Sequence, residues 1–150
     1  MTAASHSGVA GLITPDLPIE EAREITRALN DKQIAHVQMV APTTSERRAA
    51  TLAKASTGFV YAVSRLGVTG TQDSLAEAAS DVVERIRPHA SVPILLGIGI
   101  TDGEQAFEAA KSADGVIVGS AIMRRVLDDD TDAAVGLARE LRASLSRHDS

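Results

Sequence analysis

Five short apolar runs, which alternate with segments of helical periodicity, constrain the fold of this chain more than any other feature. The runs are GVAGLI (8–13), HVQMVA (36–41), GFVYAV (58–63), VPILLGI (92–98) and GVIVGS (115–120). Each run is apolar on both faces instead of alternating, which is typical of a strand in a parallel sheet that is covered on both sides. We therefore predict five parallel strands.

The segments between and after these runs have the spacing of amphipathic helices. They are IEEAREITRALND (19–31), SERRAATLAKAS (45–56), SLAEAASDVVERIR (74–87), GEQAFEAAKSA (103–113), AIMRRVLD (121–128) and TDAAVGLARELRASL (131–145). Pro18 precedes the first helix, and Thr101 with Glu104 predicts a capping box at the fourth. Repeated βα units without a long linker predict one α/β domain over residues 1–150. The domain is either part of a (β/α)8 barrel or a doubly wound sheet.

Composition and charge exclude several classes of function. The net charge is −5, and the basic residues are scattered among carboxylates, so we expect no nucleic-acid surface. The absence of cysteine excludes a disulfide scaffold and a thiolate metal site. The longest apolar stretch, PILLGIGI, is far shorter than the roughly 20 residues of a membrane helix. With no basic N-terminal segment ahead of an apolar run, a cytoplasmic location is the default expectation.

Glycine-rich loops follow the last three predicted strands, where α/β folds carry their functional residues. The loops are SRLGVTG (64–70), GIGITDG (97–103) and GSAIM (119–123), and each leads towards a helix N-terminus. Glycine lets the backbone approach a ligand, and the free N–H groups of a helix N-terminus attract an anion. A phosphate group fits this description. The alternative is that Gly97, Gly99 and Gly119 merely allow tight turns.

Other polar residues give weaker signals. The four histidines lack metal-ligand spacing, so we expect surface or packing roles for them. The aspartate run at 128–132 precedes a helical segment, where acidic residues favour the N-terminus. Ser64 and Ser120 have no sequence-readable histidine partner, which gives nucleophilic catalysis little support.

The strand ends together resemble the tryptophan synthase alpha chain, a (β/α)8 barrel. The resemblance spans roughly residues 8 to 125 and rests on LITPDLPIEEA, VAPTTSERR, GFVYAVSRLGVTG, LLGIGIT and ADGVIVGSAI, which stand in the family's order. The last two stretches are shared by many phosphate-binding barrels, and the first three are more discriminating. The resemblance implies a partial (β/α)8 TIM barrel that contains the last five βα units.

The same resemblance implies a lyase of tryptophan biosynthesis. The family cleaves indole-3-glycerol phosphate to indole and glyceraldehyde 3-phosphate, and it passes the indole to a pyridoxal-phosphate beta chain. The implied partners are therefore a small phosphate-ester substrate and the beta chain. No cofactor of its own is implied, because pyridoxal phosphate would belong to the beta chain.

Matching positions carry the family's site residues over to this sequence. The phosphate-holding positions match Gly70, Gly99, Gly119 and Ser120, and the mobile loop that closes over the substrate matches Arg65 and Thr69.

Tyr61 matches a tyrosine that lies close to the substrate and supports the reaction without being its main base, although a core tyrosine is the alternative. Asp16 matches an aspartate near the beta-chain interface and the indole end, although it could be a turn residue before Pro18. Ile98 stands where the family commonly has phenylalanine.

The family's main acid and base are a glutamate and an aspartate that precede the region aligned with Met1. Since no residue here inherits those roles, we expect the chain alone to turn over little or no substrate. We expect an incomplete copy of a full enzyme; a natural truncation and a part-barrel that self-associates through exposed strand edges are alternatives.

Two other functions stay open. One is a non-catalytic module that binds phosphate or the beta chain. The other is a different phosphate-handling barrel enzyme, such as a sugar-phosphate isomerase or an indole-glycerol-phosphate synthase.

Overall fold

The strands of the chain form one parallel sheet in the order in which they occur in the sequence. The computed structural model describes residues 6–63 and 72–146. Its strands are β1 (Gly11–Ile13), β2 (Ala35–Val40), β3 (Val60–Val63), β4 (Ile94–Gly97) and β5 (Gly115–Val116). A doubly wound sheet reverses its strand order at a switch point, whereas each strand of a (β/α)8 barrel pairs with the next one along the chain. The observed order is that of the barrel, which confirms the predicted fold class.

Helices follow each strand, close to the predicted segments. They are α1 (Arg23–Asn30), α2 (Glu46–Ala55), α3 (Gln72–Ile86), α4 (Gly103–Ala110), α5 (Ser120–Leu127) and α6 (Thr131–Ser146), with a 3-10 helix over Arg87–His89. The first helix begins later than predicted because the N–H groups of Glu21 and Ala22 close turns onto Pro18 and Ile19.

The predicted capping box at α4 is wrong by one residue. Asp102, not Thr101, is the N-cap, and its Oδ1 atom accepts a hydrogen bond of 2.9 Å from the backbone N–H of Gln105. The Gln105 side chain in turn accepts from the N–H of Thr101 at 2.9 Å. The start of the helix is therefore capped by Asp102 and Gln105, each one position after the predicted pair of Thr101 and Glu104.

The main core lies between the sheet and the helices. Alternate strand residues point to this side, and five of them are almost fully buried there: Val40, Val60, Ala62, Ile94 and Leu96. They pack against helix residues such as Leu52, Val82 and Ile86. The intervening residues Met39, Tyr61 and Leu95 are register neighbours on the opposite, inner face and are half-buried. The inner face is therefore the one that is open to a ligand.

Candidate functional site

Tyr61 lies on the inner face of β3 and leans over the carboxyl end of β4. A methyl carbon built on Gly97 would lie 2.6 Å from the Cε2 atom of Tyr61 and 2.7 Å from its hydroxyl oxygen. Gly97 is the register partner of Val63, two residues beyond Tyr61. The phenol group is therefore directed towards the edge of the sheet from which the glycine loops arise, and only a glycine at position 97 leaves room for it.

Gly99 and Gly119 are the two glycines of the predicted phosphate site that the structure describes, and they are glycine for different reasons. Gly99 has a φ of 78°, in the left-handed region that favours glycine, so the turn after β4 itself requires it. Gly119 has a φ of −112°, which any residue adopts, and no described atom lies within 4 Å of a methyl carbon built on it. Neither backbone strain nor packing against the described residues therefore requires glycine at position 119.

Ser120 begins α5 directly after Gly119, and both residues are exposed. The N–H groups of Ile122 and Met123 bond to the carbonyl oxygen of Gly119. The N–H groups of Ser120 and Ala121 precede the first intrahelical bond, as at any helix start. The first turn of α5 carries no acidic residue. This helix start can therefore donate hydrogen bonds to an anion that approaches over Gly119.

Asp16 lies in the loop after β1, beside the loop after β2. The two loops and α2 enclose a cleft of about 270 Å³, which Asp16 lines together with Thr44 and Arg48. Arg48 also forms an ion pair with Glu20 at 2.7 Å, and this hydrogen bond lowers the pKa of the Glu20 carboxyl. Asp16 is exposed. The structure thus groups Asp16 with the ends of β1 and β2, whereas Tyr61, Gly99 and Gly119 follow or lie on β3, β4 and β5.

His36 is a buried packing residue of β2, in keeping with the role expected for the histidines. Its two ring nitrogens lie 2.9 Å from the hydroxyl oxygens of Thr14 and Thr26. In the neutral ring one nitrogen donates and the other accepts. Burial lowers the pKa of His36, which favours this neutral form. The ring therefore ties the end of β1 to α1.

Several predicted site residues lie outside the described residues: Arg65, Thr69 and Gly70, together with Ser64. Ile98 is half-buried and packs against the helix-side core. The sequence did not predict that Gly97 makes room for Tyr61, because it shows two glycines in GIGI without showing which side chain crosses each of them.

Within residues 6–63 and 72–146, no helix has the length and apolar character needed to cross a membrane.

The consecutive parallel strands, with glycine loops at their carboxyl ends, define a protein of the (β/α)8 barrel class. The tryptophan synthase alpha chain family matches residues 1–148. The chain belongs to that family.

Individual relatives agree with this assignment. The tryptophan synthase alpha chain of Thermobifida fusca is 45% identical over 144 residues, a match that covers 93% of this chain and 53% of the relative. The alpha chain of Methanosarcina mazei is 40% identical over 146 residues, and the match again covers 53% of the relative. The chain thus spans about half the length of these relatives.

Solved structures give the same result. A crystal structure of tryptophan synthase from M. tuberculosis, in an open form with BRD0059 bound, matches with a TM-score of 0.84 at 34% identity. The match covers 96% of this chain and 53% of that one. The tryptophan synthase subunit alpha of Campylobacter jejuni matches with a TM-score of 0.83 at 31% identity, and 93% and 56% of the two chains are covered.

Proposed function

We propose that this protein takes part in the cleavage of indole-3-glycerol phosphate to indole and glyceraldehyde 3-phosphate, and that its described residues hold the phosphate of the substrate. Membership of the tryptophan synthase alpha chain family supports the reaction. The observation that carries the phosphate site is Gly119, a glycine that neither the backbone conformation nor the packing of the described residues requires. A ligand that approaches the backbone at position 119 would explain why a glycine stands there.

The chemistry at the start of α5 suits a phosphate ester. The N–H groups of Ser120 and Ala121 and the Ser120 hydroxyl act as donors, and the helix dipole adds a partial positive charge. A side chain on residue 119 would stand between these donors and the anion. We assign Gly99 and Gly70 to the same phosphate, which the substrate would present at the carboxyl ends of the strands.

Tyr61 is our candidate for a supporting role at the reacting part of the substrate. Cleavage of the bond between indole and the glycerol chain needs proton transfers at a hydroxyl and at the indole carbon. The Tyr61 ring on the inner face, directed to the carboxyl end of β4, supports its position beside a substrate whose phosphate sits over Gly119. Arg65 and Thr69, which lie between β3 and α3 in the sequence, are proposed to close over the bound substrate.

We also propose that the Asp16 cleft faces a tryptophan synthase beta chain. The cleft is formed by two neighbouring strand ends and is separate in the strand order from the glycines of the phosphate site. If only this surface is functional, the protein is a non-catalytic module. In that case it would stimulate a beta chain without releasing indole from indole-3-glycerol phosphate, which coupled assays of the two products distinguish.

The phosphate site is tested by calorimetric titration of the 150-residue chain with glycerol 3-phosphate. We expect Gly119→Val to weaken binding about tenfold or more, because the side chain blocks the N–H donors of α5. Gly136→Val is the matched control, since a methyl carbon built on Gly136 also meets no described atom within 4 Å. Equal affinities for the two folded variants would exclude this phosphate site.

A further inference from the structure

Two of the three helix-facing residues of β2 are polar, whereas those of β3 and β4 are apolar. His36 and Gln38 point towards the helices and are only 1% and 7% exposed, whereas β3 and β4 present Val60, Ala62, Ile94 and Leu96 to the same layer. The hydroxyl groups of Thr14 and Thr26 form hydrogen bonds with the two ring nitrogens of His36. Gln38 bonds through its backbone N–H to Ser56, and its side-chain amide has no hydrogen bond to the residues that the structure describes. A buried amide of this kind is left to bond with water or with a ligand.

Gln38 lines a cavity of about 520 Å³ that is open to solvent between α1, β2 and the end of α2, and together with Ile19 it also lines the neighbouring Asp16 cleft. Four residues of α1 also line it, with the i, i+3, i+4, i+7 spacing of one helix face: Arg23, Thr26, Arg27 and Asn30. Apolar wall is contributed by Ile19 and Ala55. The cavity therefore combines a buried amide, a cationic rim and some apolar surface.

The charges around this cavity favour an anion. Neither Arg23 nor Arg27 forms an ion pair with the residues that the structure describes, whereas Arg48, Arg87 and Lys111 do. Asp31 supplies one carboxylate at the same rim, so the two guanidinium groups leave an excess of positive charge. The planar fork of an arginine matches a carboxylate in geometry as well as in charge.

We propose that this cavity, hereafter the α1–β2 cavity, is a binding site for a small organic carboxylate. The guanidinium groups of Arg23 and Arg27 bind the carboxylate, the amide of Gln38 donates a hydrogen bond at the floor, and the apolar wall contacts the carbon skeleton. A bare inorganic anion would leave the apolar wall of Ile19 and Ala55 without a contact. The site lies on the helix side of the sheet, away from the inner face that carries Tyr61, and goes beyond the proposed lyase function.

The test is a titration of the ¹⁵N-labelled chain with succinate, followed by NMR at the side-chain amide of Gln38. We expect a saturable shift of that amide signal. The double variant Arg23→Ala/Arg27→Ala should weaken the binding at least tenfold. Arg47→Ala is the matched control: Arg47 is an exposed arginine of α2 that does not line the cavity, and its removal should leave the affinity unchanged.

Two further variants distinguish binding in the α1–β2 cavity from binding elsewhere on the chain. Gln38→Leu should remove at least nine-tenths of the affinity while the chain stays folded, because leucine suits a buried site that lacks polar partners. Gly119→Val should not change succinate binding. The test of this cavity is therefore independent of the test of the proposed phosphate site. A shift that does not saturate would show a cavity filled by water only, and equal loss of affinity in Arg47→Ala would show that succinate binds elsewhere on the chain. Either result would overturn the proposal.

Discussion

At the scale of single residues, the glycines at the strand ends have three different origins. Gly99 is required by its positive φ, Gly97 by the ring of Tyr61, and Gly119 by neither conformation nor described neighbours. In the sequence these glycines form one set, with tight turns as the common alternative to ligand binding. The structure separates them, and only Gly119 is left without a reason in the described fold.

The close approach of Tyr61 to Gly97 makes a prediction about stability. Gly97→Ala places a methyl carbon 2.6 Å from the Tyr61 ring, closer than atoms in contact can lie, so the ring must move. We expect a loss of about 1 to 3 kcal/mol in the free energy of unfolding, measured by urea denaturation. Tyr61→Ala should remove the clash, so that the double variant is more stable than the sum of the single effects implies. Additive effects would show that the two residues do not interact.

At the scale of elements, Asp114 links the starts of β4 and β5. Its Oδ2 atom accepts a hydrogen bond of 2.7 Å from the N–H of Ile94, and its Oδ1 atom accepts one of 3.0 Å from Arg87. Burial opposes ionisation of Asp114, but the hydrogen bond from Ile94 and the charge of Arg87 outweigh it and lower the pKa. The pair with Arg87 is half-exposed and contributes little, so the backbone hydrogen bond is the main stabilising contact.

We therefore expect Asp114→Asn to lower the free energy of unfolding by on the order of 1 kcal/mol at pH 7. Because the folded pKa lies below the ordinary value of 3.8, the unfolded chain binds the proton more readily. The contribution is fully present above that pH and is lost as the pH falls through the folded pKa. Urea denaturation at pH 7 and near pH 3 should show the difference between wild type and variant shrinking in acid.

The exposed pair of Glu108 and Lys111 provides a control for the Asp114 experiment. These residues lie three positions apart and make no bond to a strand within the described residues, so Glu108→Gln should cost only a few tenths of a kcal/mol. A loss in Glu108→Gln as large as that in Asp114→Asn would mean that the ion pair, not the link between strands, is the stabilising feature of Asp114.

Elements were predictable from the sequence to the extent that their signals are local. Apolar runs and helical spacing predicted all five strands and the order of the helices. The strands are shorter than the runs: β1 starts at Gly11 instead of residue 8, and β5 ends at Val116 instead of residue 120. An apolar run reflects burial, whereas a strand also needs a paired neighbour, and the ladder between β4 and β5 pairs only Gly115 and Val116.

Contacts between elements were not predictable in the same way. The packing of Tyr61 on Gly97, and the bonds from His36 to Thr14 and Thr26, depend on the register of neighbouring strands and on where a helix crosses them. No local pattern encodes that register. The candidate loops could therefore be identified from the sequence, but the reason for each residue in them could not.

At the scale of the whole molecule, the sheet is best supported in its centre. β3 pairs with β2 on one side and with β4 on the other, and the buried residues of β3 and β4 belong to the main core. Within the described part of the chain, β1 pairs only with β2 and β5 only with β4. β1 is also short, and the side chain of Ile13 is 38% exposed. Local opening should therefore begin at these two outer strands.

Amide hydrogen exchange of the 150-residue chain tests this gradient. We expect protection in β3 and β4 to exceed that in β1 and β5 by on the order of tenfold or more, because the central amides exchange only when the core opens. Asp114→Asn should speed exchange in β5 while leaving β3 unchanged, since the described bonds of the carboxylate run to the start of β4 and to Arg87, not to β3. Uniform protection across the five strands would instead mean that the sheet opens as one cooperative unit. The link at Asp114 would then stabilise the whole barrel segment, not its last strand alone.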